Sequence, residues 1–130
     1  MQPTQAPYPL ARFRRPRRTG ALRALVQENS LPSGDLIWPV FLCDGTNQRQ
    51  PIASMPGVER LSLELVVEAA AQAHDLDIPA ICLFPYTDPA LKTAGCEEAW
   101  NPENLTNRAI RAIKAQVPDI AVMTDVALDP

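Results

Sequence analysis

The chain has 130 residues, a length that suits one compact domain and leaves no room for two full ones. Its 46% apolar and 21% charged content is ordinary for a globular protein, which excludes general disorder and a coiled coil, and no apolar run approaches the roughly 18 residues that would cross a membrane. Net charge is only −3, yet Arg12, Arg14, Arg15, Arg17, Arg18 and Arg23 supply half of the 12 basic residues and no acid precedes Glu28.

A basic arm on an acidic body fits nucleic acid, an anionic lipid surface or the acidic body of a second copy. Phe13 is the one aromatic among the arginines and Pro16 interrupts a helix there, so arm-to-neighbour packing is expected, with no nucleic acid and no membrane as partner. The first ten residues lack the charged head and apolar stretch of a secretory signal. Cys43, Cys82 and Cys96 form no paired-cysteine motif and are odd in number, so reduced thiols and a cytoplasmic address are expected.

Residues 1–18, rich in proline and arginine without an apolar period, predict an extended arm. Thr19 can cap a first helix whose Leu22, Leu25 and Val26 share one face. Pro32 and Gly34 break it, and 35–43, short and almost wholly apolar, predicts a buried strand with Pro39 as a defect in its ladder. Residues 44–61 read as a polar excursion. Ser62 then caps a second helix with Leu63, Val66, Val67, Ala70 and Ala73 inward, ending near Leu76, where Asp77 takes the left-handed conformation usually left to glycine. Residues 78–84 form a second strand. A long loop over 85–101, of the kind that carries function in compact domains, precedes a third helix starting near Pro102 and Glu103, with Leu105, Ala109, Ile110 and Ile113 inward. Pro118 stops that helix, and 120–126 is the third apolar strand.

Strand and helix thus alternate roughly every 40 residues, which predicts a parallel sheet. Three such units leave both sheet edges open, whereas eight would need roughly 320 residues, within the range of a (β/α)8 barrel. The expected fold is therefore α/β: an extended N-terminal arm over 1–18, and over 19–130 the first part of a (β/α)8 TIM barrel, incomplete at about three strands.

Barrel chemistry sits at the carboxyl ends of the strands, which selects Cys43 and Asp44, then Phe84 and Tyr86, then Asp125 and Asp129. Asp125 is the strongest candidate, because a carboxylate at the end of a buried strand needs partners or a purpose. Against it stands the plain alternative of an aspartate bonded to loop backbone. Cys43 and Cys82 read as small core fillers, Cys96 as a loop thiol, and His74 as a surface residue near a helix end. Lys92 and Lys114, the two lysines, are not placed as buried, activated amines.

The segments DLIWPVFLCDG, PIASMPGVERLSLE, IPAICLFPY, NPENLTNRAIRAIKAQVPDI and MTDVALDP resemble the start of the delta-aminolevulinate dehydratase (porphobilinogen synthase) family, from about Arg12 to Pro130. SMPGV followed by a strand ending in TDVALDP is the specific pairing. The resemblance implies a (β/α)8 barrel whose arm embraces a neighbouring subunit in a homo-oligomer, an octamer or hexamer. It implies a lyase that condenses two molecules of 5-aminolevulinate to porphobilinogen with loss of water, in tetrapyrrole (heme) biosynthesis. Two Schiff-base lysines are expected beyond residue 130, so residues 1–130 alone are expected to be inactive.

Carried over residue by residue, Asp125 matches a catalytic aspartate that orients the second substrate's amino end, and Phe84 matches an aromatic of the same pocket. Ala127 and Asp129 stand where the zinc-binding subgroup has cysteines. That departure disfavours a thiolate zinc site and leaves Asp129 as a candidate ligand for a hard ion such as magnesium, or no catalytic metal at all. Asp77, where the family usually has glycine, and a slightly long GCEEAW stretch bear on loop geometry. The competing reading is a non-enzymatic binding or oligomerisation module with a basic arm.

Overall fold

The computed structural model describes residues 9–11 and 14–126. The chain divides into two compact units, Met1–Leu31 and Pro32–Pro130. In the first, helix α1 (Gly20–Leu25) starts where expected, with the Thr19 hydroxyl accepting from the Leu22 N–H at 3.2 Å. Leu22 and Leu25 of α1, and Val26 just after it, are all exposed.

The second unit is one five-stranded sheet in the order β2-β3-β1-β4-β5, built from β1 (Ile37–Leu42), β2 (Arg49–Pro51), β3 (Glu59–Leu61), β4 (Ala80–Pro85) and β5 (Ala121–Thr124). Strands β3, β1, β4 and β5 run parallel, and β2 joins the edge antiparallel to β3. The three predicted strands are β1, β4 and β5. Residues 44–61, read as an irregular excursion, hold β2 and β3, each three residues long and too short to show a period of two.

Pro39 sits inside β1 without breaking it. Cys43 N–H donates to Leu61 O in β3 at 2.9 Å, while Leu42 O accepts from Tyr86 N–H on the β4 side at 3.0 Å. Alternation then turns the Pro39 nitrogen toward β3, whose pairing begins only at Phe41. No ladder bond is lost.

Helices α2 (Leu63–Asp75) and α3 (Leu105–Gln116) cover one face of the sheet. Leu42, Val66, Ala70, Ile81, Leu83, Ile113 and Ile120 lie at the centre of the shared core, each larger aliphatic side chain contributing about 1.5–3 kcal/mol by burial. The buried face of α2 is broader than predicted. Leu65 and Ala69 are buried, whereas Leu63 and Val67 are only half-buried, because the helix packs against both the sheet and α3.

The end of α2 follows the prediction closely. Asp77 has φ of 58°, its N–H reaches His74 O at 3.0 Å, and Ile78 N–H reaches Ala73 O at 2.9 Å. This paired closure is the Schellman arrangement. Ser62 departs from its predicted role. It precedes α2, but its hydroxyl bonds no N–H of that helix and instead accepts from Gln48 N–H at 2.9 Å. The cap of α3 is Asn104, accepting from Asn107 N–H at 2.8 Å, two residues after Pro102. No helix among the described residues is long and apolar enough to cross a membrane.

Candidate active site

The carboxyl ends of β4 and β5, the segment 85–104 and the first turns of α3 enclose a cavity of about 470 Å³. Strand register brings two predicted residues together there. Leu83 in β4 pairs with Thr124 in β5. Phe84 follows within β4 on the face away from the helices, Asp125 is the first residue after β5, and both line the cavity. Phe84 is half-buried and stacks on Phe41 at 5.5 Å between ring centroids, and Asp125 is exposed to the cavity mouth. Asp129 and Ala127 lie outside the described residues.

Tyr86 and Asp44 line the same cavity. Asp44 follows β1 and accepts from Arg108 of α3 at 2.5 Å, a pair exposed enough to be worth less than about 1 kcal/mol. Cys43 is buried and does not reach the cavity. Burial pushes its thiol up, the nearby Arg60 guanidinium works against that rise, and Asp44 and Glu64 add to it. Its burial agrees with its reading as a core filler. Cys82 is a different case, because its register with Pro39 and Met123 places it on the face that the helices leave open. Cys96 lines the cavity with a positive φ of 53°, and His74 is exposed at the end of α2.

Lys92 also borders the cavity and is exposed. Lys114 is engaged elsewhere, donating to Pro118 O at 3.0 Å and to Ile120 O at the end of α3. Neither is a desolvated amine.

The long segment is held by an asparagine lattice. Asn101 Nδ2 donates to Glu98 Oε2 at 2.9 Å, Asn104 Nδ2 to Glu98 O at 3.2 Å and Asn107 Nδ2 to Asn101 O at 3.1 Å. The three-residue spacing of Asn101, Asn104 and Asn107 in NPENLTN is the signal for it. Two short 3-10 turns, Pro89–Leu91 and Glu97–Trp100, stiffen the rest. Thr93 donates to Glu97, and that bond, followed by the residue's own backbone N–H, holds the Glu97 carboxyl below the usual range.

Among the described residues no three His, Cys, Asp or Glu side chains gather to hold a metal ion.

A mostly parallel α/β sheet, with its cavity over the carboxyl ends of the strands, defines a protein of the class that places active sites at that end. The family model for delta-aminolevulinic acid dehydratase matches residues 10–130, and the chain belongs to that family. It is 56% identical over 119 residues to a delta-aminolevulinic acid dehydratase of Bradyrhizobium diazoefficiens, covering 92% of this chain and 34% of the relative. It is 50% identical over 124 residues to that of Rhodobacter capsulatus, covering 95% and 37%. A crystal structure of the Toxoplasma gondii porphobilinogen synthase in complex with its reaction product porphobilinogen superposes with a TM-score of 0.83 at 43% identity, covering 97% of this chain and 34% of that one. The chain thus spans about a third of the length of the relatives it matches.

Proposed function

We propose that these residues form the first part of a porphobilinogen synthase, a lyase that condenses two molecules of 5-aminolevulinate to porphobilinogen with loss of water. The observation that carries this reading is the side-by-side placement of Phe84 and Asp125 at one cavity, on a chain of this family. The Asp125 carboxylate would hold the ammonium end of the second substrate through a charge-assisted hydrogen bond, and Phe84 would pack against its carbon chain. Two lysines beyond residue 130 would form the Schiff bases, in keeping with the exposed Lys92 and the engaged Lys114. The parallel sheet would continue into a (β/α)8 barrel, leaving the face that carries Ile37, Phe41, Phe84 and Met123 toward the barrel interior.

The same reading includes a cytoplasmic address, homo-oligomer formation through the basic arm, and Asp129 as ligand to a hard ion such as magnesium. The described residues supply no set of three ligands of their own. The deciding assay is colorimetric detection of porphobilinogen from 5-aminolevulinate. The full-length protein is expected to form it and residues 1–130 alone are not. A full-length protein without turnover would favour the binding-module reading.

A further inference from the structure

Arg60 of β3 is in register with Phe41 of β1, which is in register with Phe84 of β4. The three side chains stand in one row on the sheet face opposite the helices. Tyr86 shares that face two residues beyond Phe84, and the Arg60 guanidinium lies 4.7 Å from the centroid of its ring. Tyr86 N–H donates to Leu42 O at 3.0 Å, so its backbone is the last point at which this strand is tied to β1. From Thr87 the chain leaves the sheet as the segment that walls the cavity.

Arg60 is half-buried, and among the described residues it pairs with no carboxylate. Its sequence neighbour Glu59 points to the other face and pairs with Arg49 at 3.5 Å. A half-buried cation with no ionic partner finds its compensation in the negative face of an aromatic ring.

We propose that Arg60 is a positioning residue, whose guanidinium holds the Tyr86 ring and thereby fixes the root of the 87–104 segment and the aromatic wall of the cavity. Arg60 itself does not line the cavity. Its effect passes through Tyr86, which does. The kinetic part of the test rests on the porphobilinogen synthase reading, and the proteolytic part does not.

The test uses the full-length protein with Arg60→Met, Arg60→Lys, Tyr86→Phe, Tyr86→Leu and the double variant of Arg60→Met with Tyr86→Leu. Trypsin cuts after Lys92, which is exposed within the segment, and fragment mass identifies that cut. Cleavage that follows local opening reports the population of the open segment. Arg60→Met and Tyr86→Leu are each expected to speed this cut about two- to fivefold, the span of a cation–π contact at a partly exposed site. The double variant should be no faster than either single one, while Arg60→Lys and Tyr86→Phe, which keep a cation and a ring, should stay near the parent rate. The KM for 5-aminolevulinate should rise by a similar factor in the two disruptive variants with kcat little changed. Additive effects in the double variant, or an Arg60→Met protein cut at the parent rate, would overturn the proposal. So would faster cutting with an unmoved KM, which would make Arg60 an anchor of the segment alone. If Arg60→Met fails to fold, the comparison of Tyr86→Leu with Tyr86→Phe still decides whether the ring contact matters. A parent protein without turnover refutes the enzymatic reading, and cleavage at Lys92 then decides the role of Arg60 by itself.

Discussion

Ser62 and Gln48 bond each other twice: Gln48 N–H donates to the Ser62 hydroxyl at 2.9 Å, and Ser62 N–H donates to Gln48 O at 3.1 Å. Ser62 is fully buried, so this reciprocal pair closes the turn between β1 and β2 onto the start of α2. Ser62→Ala removes the acceptor and leaves the Gln48 N–H without that partner. The expected cost is about 1–3 kcal/mol, read as a lower urea midpoint at unchanged slope. A change below a few tenths would mean that water replaces the hydroxyl.

Asp77 holds a positive φ in the closure of α2, a conformation that favours glycine. Asp77→Gly is expected to raise stability by up to about 1 kcal/mol, the relief of a left-handed residue less the entropy that glycine adds to the unfolded chain. Asp77→Val should lower it. Thermal unfolding of the pair, compared with the parent, checks the sign of each.

These two sites show what was legible in the sequence. Asp77 could be read because a helix with a clear apolar face stopped one residue before it, and the three long strands could be read from their apolar runs. Ser62 was placed at the right position with the wrong partner, since a cap and a cross-loop acceptor require the same residue type. Strands β2 and β3 escaped because three residues show no period and their pairing is set by distant neighbours. Phe84 and Asp125 were marked as strand ends, and only the family resemblance put them in one pocket. Their adjacency depended on the register between β4 and β5, and the contact of Arg60 with Tyr86 on the register across three strands.

On the proposed reading, in which Asp125 would hold a substrate ammonium, Asp125→Asn in the full-length protein is expected to lower the rate of porphobilinogen formation at least tenfold, equivalent to about 1.4 kcal/mol. An unaltered rate would leave Asp125 with a structural role only.

Zinc dependence can be argued from side-chain chemistry at two positions. At the positions where the resemblance implies cysteine ligands in a zinc-binding subgroup, this sequence has Ala127, which offers no ligand atom, and Asp129, which offers a hard oxygen. Dialysis of the full-length enzyme against a zinc-selective chelator is therefore expected to leave its activity intact. Activity lost and then restored by zinc alone would show that ligands elsewhere in the protein build the site.

The arm provides the last prediction. Residues 1–18 carry five arginines and no acid, while residues 24–130 hold all 15 acids against six bases, so the charges of the arm complement the body of another copy. The segment also carries apolar Leu10, beside Tyr8 and Phe13 in the sequence. A segment that combines apolar side chains with clustered arginines suits a subunit contact in which burial and charge act together. Deleting residues 1–18 from the full-length enzyme is expected to lower its assembly state while the remaining chain stays folded, as read by sedimentation and circular dichroism. High salt should weaken the intact assembly only in part, because charge screening leaves the apolar contribution in place. An unchanged particle mass after deletion would make the arm dispensable for assembly, and its arginines would then call for a direct nucleic-acid binding measurement across a salt series.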